Sequence, residues 1–486
     1  MSASRKPATM ALMIVLAIWT SGQNASSQVL PGKKHKTLPN IIFVQAAVVH
    51  FGKLEQRFPK GSHLMRLELG TGPTKLQNLA PEFFAAADPA VSFDGTEILF
   101  SGRKSPDGRW QVWEMNAGGS NMRQLTHCSG DCLRPVYLPR GQVAFTAVTG
   151  KGRERSSAIY VSNEDGTNAH PITFGPGNFE TETILHNGRL VVSADDPLVP
   201  NGLAAGSRAL YLINPDGSEL TLLRQVQHGE MIRTEVGEAG GGTVLFVQRK
   251  DVGGVVRGGR LAWIRRGRLH ASLLTDPQTV YWSAHELGGD SLVVSKDGVK
   301  AGAGSGRFDL YDFNLKRKAL GDLIYRDPKF SSGQAVPLAP HPVPRYYWSI
   351  LHPEMKTGRL LCLDAYVSAD APRGRFSQRI AKVRVIALSP NAQREKTLGD
   401  APVEKDGSFY LRVPSDRPIR FELLGAGGAV IHAQRSWIWV RPGEDRGCLG
   451  CHENPALTPG DHWPLALRRF NGPTPVGLAV RPQAAH

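Results

Sequence analysis

The sequence lacks the features of an integral membrane protein. None of its 486 residues lie in an uninterrupted apolar run of the ~20 residues that a membrane-spanning helix needs. One shorter apolar run, residues 11–19, follows two basic residues and precedes a few small ones. This order predicts a cleaved export signal over residues 1–27 and a polar leader over residues 28–40. The mature protein is therefore expected outside the cytoplasm, in the periplasm if the source is a Gram-negative bacterium.

The common catalytic motifs are also missing. The sequence has no P-loop and no Gly-x-Ser-x-Gly elbow, and His452-Glu453 does not continue to His-Glu-x-x-His. Its Asp-Gly pairs are typical of turns rather than of paired catalytic carboxylates. The net charge of +15 is scattered along the chain. Nucleic acid is not an expected partner of an exported protein, so this charge suits an acidic redox partner, an anionic envelope surface or simple solubility.

Cysteine is scarce, with five in the chain, and two of them stand in Cys448-Leu-Gly-Cys451-His452. This is the attachment sequence of a c-type haem, in which each thiol adds across one vinyl group and the histidine is the proximal iron ligand. A redox dithiol would require a βαβ setting, and a zinc site would require a second ligand pair, of which only His462 follows nearby. We therefore predict one covalent haem c on Cys448, Cys451 and His452.

The other three cysteines have different predicted roles. Cys128 and Cys132 form a local disulfide or, as the alternative, hold a metal together with their polar neighbours; an oxidising compartment favours the disulfide. Cys362 lies in a short apolar run and is interpreted as a small buried hydrophobe.

An internal repeat extends from residue 41 to about residue 330. Each unit consists of a strand, an Asp-Gly turn, a second strand, a loop, a third strand, a turn and a fourth strand. The equivalent turn glycines Gly119, Gly166 and Gly217 are 47 and 51 residues apart. Four short strands at this period predict the blades of a β-propeller. We expect about six blades in an all-β protein.

The rest of the chain predicts a second, smaller β-domain. Residues 331–345 are rich in proline and serine and are interpreted as a linker. Residues 346–445 contain strands of alternating hydrophobicity, which predict a small antiparallel β-sandwich. Residues 446–486 are then the haem-binding segment and tail.

These parts together resemble the hydrazine synthase alpha subunit family. The resemblance lies in the repeats, which are also similar to TolB-like propeller units, in residues 398–409, and in residues 435–453, which include Arg-Ser-Trp-Ile-Trp-Val-Arg-Pro-Gly-Glu and the haem motif. It implies a propeller and a C-terminal haem that transfers electrons, in a complex with other cytochrome subunits. The family's synthase carries an additional N-terminal haem domain, whereas this sequence has no second Cys-x-x-Cys-His.

The sixth iron ligand is the open question at the haem, because it separates an electron carrier from an enzyme. His432 is the preferred candidate, since it lies on the strand that leads to the motif. The other candidates are His341, His352, Met355, His462 and His486, and an open position would permit catalysis. Arg435 and Arg441 are candidates to pair with a haem propionate, or they form a solvated basic strand end.

Three functions remain open from the sequence. The first is an exported monohaem cytochrome that transfers electrons and uses the propeller to dock a redox partner. The second is a subunit of a haem oxidoreductase related to hydrazine synthase. The third is an envelope scaffold in which the propeller binds a protein or glycan and the haem is structural.

Overall fold

The computed structural model describes most of the chain from residue 38 onward. The described residues are 38–50, 54–58, 60–70, 74–150, 155–195, 208–224, 230–240, 242–250, 258–265, 268, 271–298, 307–368, 371–389, 394–434, 436–450 and 463–478. The predicted signal over residues 1–27 lies outside them. So do Arg435, Cys451 and His452.

Six four-stranded antiparallel sheets in the described part of the chain form a propeller. Strands are numbered in chain order. The first blade holds β1 (Asn40–Ala46), β2 (His63–Glu68) and β3 (Lys75–Asn78). The second holds β4 (Ala85–Val91), β5 (Glu97–Arg103), β6 (Gln111–Asn116) and β7 (Arg123–Gln124). The third holds β8 (Asp131–Leu138), β9 (Gln142–Thr149), β10 (Ser156–Asn163) and β11 (His170–Pro171).

The remaining blades follow the same order. The fourth holds β12 (Phe179–Ile184), β13 (Leu190–Asp195), β14 (Arg208–Ile213) and β15 (Thr221–Arg224). The fifth holds β16 (Glu230–Ala239), β17 (Thr243–Lys250), β18 (Arg260–Arg265) and β19 (Ser272–Leu273). The sixth holds β20 (Tyr281–Gly288), β21 (Ser291–Asp297), β22 (Phe308–Asn314) and β23 (Ala319–Tyr325). A last strand, β24 (Ser331–Leu338), completes the first blade.

The ring closes through β24, which pairs antiparallel with β1. The prediction of a linker over residues 331–345 is therefore wrong for residues 331–338. In a closed propeller the last strand joins the sheet of the first. This pairing joins residues far apart in sequence, so no local sequence pattern indicates it in a proline-containing segment. Residues 339–356 follow this strand and lead out of the propeller without forming a strand.

The blades are held together by apolar side chains and by close backbone contacts. Apolar residues of β9, β10 and β13 pack in one core between the third and fourth blades. The turn glycine Gly166 has φ +84°, and a Cβ on it would collide with the carbonyl oxygen of Leu125 in the preceding blade. The Asp-Gly turn therefore requires glycine both for its backbone conformation and for contact between blades.

Two further four-stranded sheets form a β-sandwich. One has the order β31 (Asp445–Cys448), β25 (Thr357–Cys362), β28 (Phe409–Pro414), β32 (Thr474–Pro475). The other has the order β27 (Glu395–Pro402), β26 (Lys382–Leu388), β29 (Ile419–Leu424), β30 (Val430–Ala433). Leu360, Val385, Leu411 and Phe421 share its core.

The sandwich extends beyond its predicted end. The boundary at residues 445 and 446 cuts through β31, and β32 of the predicted tail also belongs to the first sheet. Both strands pair in parallel, β31 with β25 and β32 with β28. Parallel neighbours distant in sequence cannot be recognised from local alternation.

Helix is confined to three short 3₁₀ turns in the described residues: Leu54–Gln56, Pro372–Gly374 and Leu465–Arg468. None of the helices described is long and apolar enough to cross a membrane.

Candidate functional site

The haem motif begins at the end of an edge strand of the sandwich. Cys448 is the last residue of β31 and is paired in register with Cys362 of β25. Its side chain is half-buried against the sandwich core, whereas Cys362 is fully buried. The motif thiol is thus at the margin of the core, and the cysteine beside it is an interior residue, as the sequence predicted.

Both ends of the undescribed segment 451–462 are anchored at one corner of the sandwich. At the first end, the backbone N–H of Leu363 donates to the carbonyl oxygen of Cys448 at 2.9 Å. At the second end, the N–H of Leu465 donates to the Asp406 carboxylate at 2.8 Å. The turn that contains Asp406 is joined to the first anchor, because the Ala365 N–H donates to the Gly407 carbonyl oxygen at 2.8 Å. Cys448 and Leu465, the anchored residues before and after segment 451–462, therefore belong to the same corner.

His432 lies beside aromatic side chains of the same corner. Its ring is 5.1 Å from that of Phe376, and the Phe376 N–H donates to the Tyr366 carbonyl oxygen at 2.9 Å. Tyr366 is the neighbour of Val367, on which Gly450 of the motif packs closely. The preferred distal ligand is thus separated from the motif by a short chain of packed residues.

A cation also lies at this corner. The guanidinium of Arg375 is 5.3 Å from the centre of the Tyr366 ring and pairs with Asp364 at 2.6 Å. The Arg375 side chain is more than half exposed. It is therefore a better placed partner for a propionate than Arg441, whose guanidinium is buried.

The residues present fit a covalently attached porphyrin. Large apolar side chains on both sides of segment 451–462 are exposed to solvent: Leu449 to 38%, Trp463 to 65% and Phe470 fully. Exposed apolar side chains of this size next to a half-buried thiol are what an apolar macrocycle would cover. Cys448 and Cys451 would hold the porphyrin, and His452 would bind the iron.

The sandwich is joined to the propeller by the segment that precedes the motif. Trp439 is completely buried between the third and fourth blades, with its ring centre 6.0 Å from Phe174 and 5.6 Å from Phe179. Its indole N–H donates to the Gly217 carbonyl oxygen at 3.1 Å. A contact between Trp439 and the blades was not predicted from the sequence.

The charged residues after Trp439 continue this junction. Arg441 pairs with Asp416 at 2.9 Å, and its guanidinium is 4.7 Å from the centre of the Phe174 ring. Glu444 accepts the Glu219 N–H of the fourth blade at 3.0 Å, and burial raises the pKa of its carboxyl. The guanidinium of Arg446 donates to the carbonyl oxygen of Leu220. The junction thus reaches to within two residues of Cys448.

The prediction of a propionate contact for Arg441 is therefore wrong. Its guanidinium is buried and used at the interface between the domains. Arg435 lies outside the described residues. Cys128, which follows β7, and Cys132, which lies on β8, are joined by a disulfide. Among the other candidates, His341 lies against Phe93 of the second blade.

Three residues of the corner were missed from the sequence: Tyr366, Phe376 and Arg375. They lie on a connection without regular repeat, between β25 and β26. The only available signal was the aromatic and basic composition of residues 366–376.

The fold and site define a class: a six-bladed propeller joined to a β-sandwich that carries a Cys-x-x-Cys-His motif. Residues 359–453 match the family model described as hydrazine synthase alpha subunit middle domain. The chain is 23% identical over 570 residues to hydrazine synthase subunit alpha of Kuenenia stuttgartiensis, with 90% of this chain and 68% of that protein covered. Over most of its length this chain is therefore similar to the hydrazine synthase alpha subunit.

One solved structure agrees on the fold of most of this chain. The Kuenenia stuttgartiensis hydrazine synthase has a TM-score of 0.75 at 20% identity, covering 89% of this chain and 71% of that one. TolB from Acinetobacter baumannii has a TM-score of 0.44 at 14% identity, covering 61% and 66%.

Cys448 and His452 lie in the part of the sequence that matches this middle-domain model.

Proposed function

We propose that this chain is an exported, haem c-bearing redox subunit that passes electrons through one covalent haem on Cys448, Cys451 and His452. The observation that carries the proposal is the corner at which segment 451–462 begins and ends, with its half-buried thiol and its exposed apolar side chains. The Cys128–Cys132 disulfide is consistent with export, because such bonds persist in oxidising compartments.

The chain's own residues would perform three tasks at this corner. Cys448 and Cys451 fix the macrocycle, so its orientation does not depend on iron ligation alone. Leu449, Trp463 and Phe470 would exclude water from its faces, which raises the influence of nearby charges on the iron potential. Arg375 would neutralise a propionate. When bound, the haem supplies one-electron redox chemistry.

The propeller would provide the docking platform. The buried contacts of Trp439 and Arg446 couple the motif strand to the third and fourth blades, so a partner bound there is held at a fixed position relative to the haem. The basic balance of the chain, +15, suits an acidic redox partner.

A second candidate is a subunit of a haem oxidoreductase related to hydrazine synthase. It is favoured by the likeness over 90% of this chain to a subunit of that enzyme. The two candidates differ in the sixth iron position. A carrier has it filled, with His432 as the proposed ligand, whereas an enzyme keeps it open to substrate.

The test is expression of the exported chain together with the cytochrome c maturation machinery, followed by haem staining of a denaturing gel. We expect a stained band and a mass increase of one haem. The double variant Cys448→Ala, Cys451→Ala should lose both. The matched control is Cys362→Ala, which removes the neighbouring interior thiol and should keep the stain.

Carbon monoxide then separates the two candidates. A low-spin spectrum that does not respond to carbon monoxide supports the carrier. In that case His432→Ala should open the iron and His352→Ala should not. A native spectrum that shifts with carbon monoxide supports the oxidoreductase. A colourless wild-type chain at the mass of the bare polypeptide rejects both.

A further inference from the structure

A ring of polar side chains lines the axis of the propeller. In each of five blades, the innermost strand has an irregularity in its pairing that turns one polar residue inward. These residues are Asp88 on β4, Arg134 on β8, Glu182 on β12, Glu235 on β16 and Gln334 on β24. A β-bulge re-aims a side chain in this way and is common beside functional sites. Four of the five, all except Glu182, have positive φ.

Most polar atoms of this ring form hydrogen bonds with other side chains of the propeller. Asp88 accepts hydrogen bonds from Arg57 at 2.6 Å, Gln334 at 2.9 Å and Ser101 at 2.8 Å. These partners lower the pKa of Asp88 to about 2 against its burial, so it is ionised. Glu182 uses both oxygens, accepting from Arg134 at 2.8 Å and from a serine hydroxyl at 2.5 Å.

Glu235 is different, because all its hydrogen bonds go to one oxygen. Its Oε1 accepts from Arg57 at 3.2 Å, Gln334 at 3.0 Å and Arg134 at 3.5 Å. No described residue donates to its Oε2, and the residue lines the axial cavity. Burial raises the pKa of the Glu235 carboxyl, so a positive charge beside Oε2 would stabilise its ionised form.

The cavity above the ring has a volume of about 720 Å³. This lies within the roughly 300–1,000 Å³ range typical of small-molecule sites. Five carboxylates line it, together with a single guanidinium, that of Arg134. The lining thus holds more carboxylates than guanidinium groups, in a chain whose net charge is +15. The rest of the walls is mainly apolar and includes Val91, Val236 and Val336.

The mouth lies beside residues 339–345, which run across one face of the propeller. This strap is fixed at both ends: the His341 N–H donates to the Phe93 carbonyl oxygen, and the Arg345 N–H to the His186 carbonyl oxygen, each at 2.9 Å. Exposed Pro340 and His341 line the cavity, which places its opening next to the strap.

A neutral acceptor also faces this space. His285 lines the cavity, and no described residue is hydrogen-bonded to its ring. Burial and the nearby His341 lower the pKa of His285 to about 4, so the ring is neutral at ordinary pH. Glu238 at the mouth is paired with His186 at 2.7 Å.

We propose that the axial cavity binds an organic monocation with an apolar body, whose charged head pairs with Oε2 of Glu235 and whose body packs on the valine-lined walls. A metal ion fits less well. Of the described residues, the one group of carboxylates close enough to share an ion is Glu97, Glu114 and Glu164, which do not line the cavity. The proposal does not depend on the haem.

The test is isothermal titration calorimetry of the full chain with 2-phenylethylamine and with 2-phenylethanol. The two probes have nearly the same shape and differ in charge. We expect the amine to bind at least tenfold more tightly than the alcohol. Glu235→Gln should remove this preference, and Glu235→Asp should restore part of it.

Glu114→Gln is the matched control, because Glu114 is a buried propeller carboxylate outside the cavity. It should keep the preference for the amine. Equal affinity for the two probes, or no binding of either, overturns the proposal even if Glu235→Gln does not fold. An amine preference that survives in folded Glu235→Gln overturns the assignment of Glu235.

Discussion

Replacement of Trp439 by alanine tests whether the sandwich and propeller are one cooperative unit. The indole is fully buried in the core shared by the third and fourth blades, although the residue belongs to the sandwich segment. It also donates to the Gly217 carbonyl oxygen at 3.1 Å. Its loss therefore removes apolar contact and leaves a buried acceptor without its donor.

The expected cost can be worked out from these two contributions. A buried Trp removes roughly 150–250 Å² from water. At about 25 cal/mol per Å² this is about 4–6 kcal/mol as an upper bound, because the unfolded chain already buries part of that area. The unsatisfied carbonyl adds about 1 kcal/mol. Measured Trp→Ala costs of about 3–5 kcal/mol lead us to expect about 4 kcal/mol for Trp439→Ala.

The assay is urea unfolding followed by far-UV circular dichroism and by tryptophan fluorescence. In the wild type we expect the two probes to report one transition. In Trp439→Ala they should separate, since the domains no longer stabilise each other. Trp348→Ala is the control: its side chain is 71% exposed, so a change below about 0.5 kcal/mol is expected.

A loss below about 1 kcal/mol for Trp439→Ala, with coincident transitions, would refute this reasoning. It would mean that the sandwich is held to the blades by its hydrogen bonds and ion pairs rather than by the buried indole.

Two other predictions concern the propeller itself. The Cys128–Cys132 bond closes a loop with a sequence separation of 4. The double variant Cys128→Ala, Cys132→Ala should therefore lose about 2 kcal/mol of unfolding free energy, measured by urea unfolding. An unchanged stability of the wild type under reducing conditions would count against this prediction. Asp88 has a pKa lowered to about 2 by its partners in the folded state, so the stability it contributes is present above the ordinary carboxyl pKa and is lost as the pH falls from about 4 to 2. That loss is about 2 kcal/mol. Asp88→Asn should be less stable at neutral pH, and its melting temperature should fall less steeply than that of the wild type as the pH is lowered. An equally steep fall would show that other groups govern the acid sensitivity.

The propeller could be predicted because its signals are local. Asp-Gly turns, strand lengths and the spacing of Gly119, Gly166 and Gly217 depend on residues close in sequence, and each repeated unit reinforces the others. The blade number followed from the same period. Ring closure by β24 could not be predicted in this way, because its partner β1 lies at the other end of the repeat.

The haem site stays a prediction, which follows from the spacing of the two motif cysteines and the adjacent histidine. The residues that surround the motif could not be predicted. The alternation of Trp437 and Trp439 alone would place both indoles on one face of a sandwich strand, but β30 ends at Ala433. Trp439 enters the propeller instead. Which of two packed bodies an indole joins depends on tertiary contacts that alternation does not record.

The physical logic of the junction connects the two halves of the molecule. A sandwich strand that only needed to present a cysteine could end in solvent. Here the segment before Cys448 donates from Arg446 to a carbonyl oxygen of the fourth blade, and its Glu444 accepts an N–H from the same blade. Charged groups are costly to bury unless their partners are fixed. The cost of burying these two groups is offset by hydrogen bonds to backbone atoms that the blade holds in place. These bonds also fix the position of the motif strand relative to the blades. If the proposed haem is bound, this rigidity would keep it at a set distance from a partner on the propeller, which the proposed electron transfer and the alternative catalysis would both require.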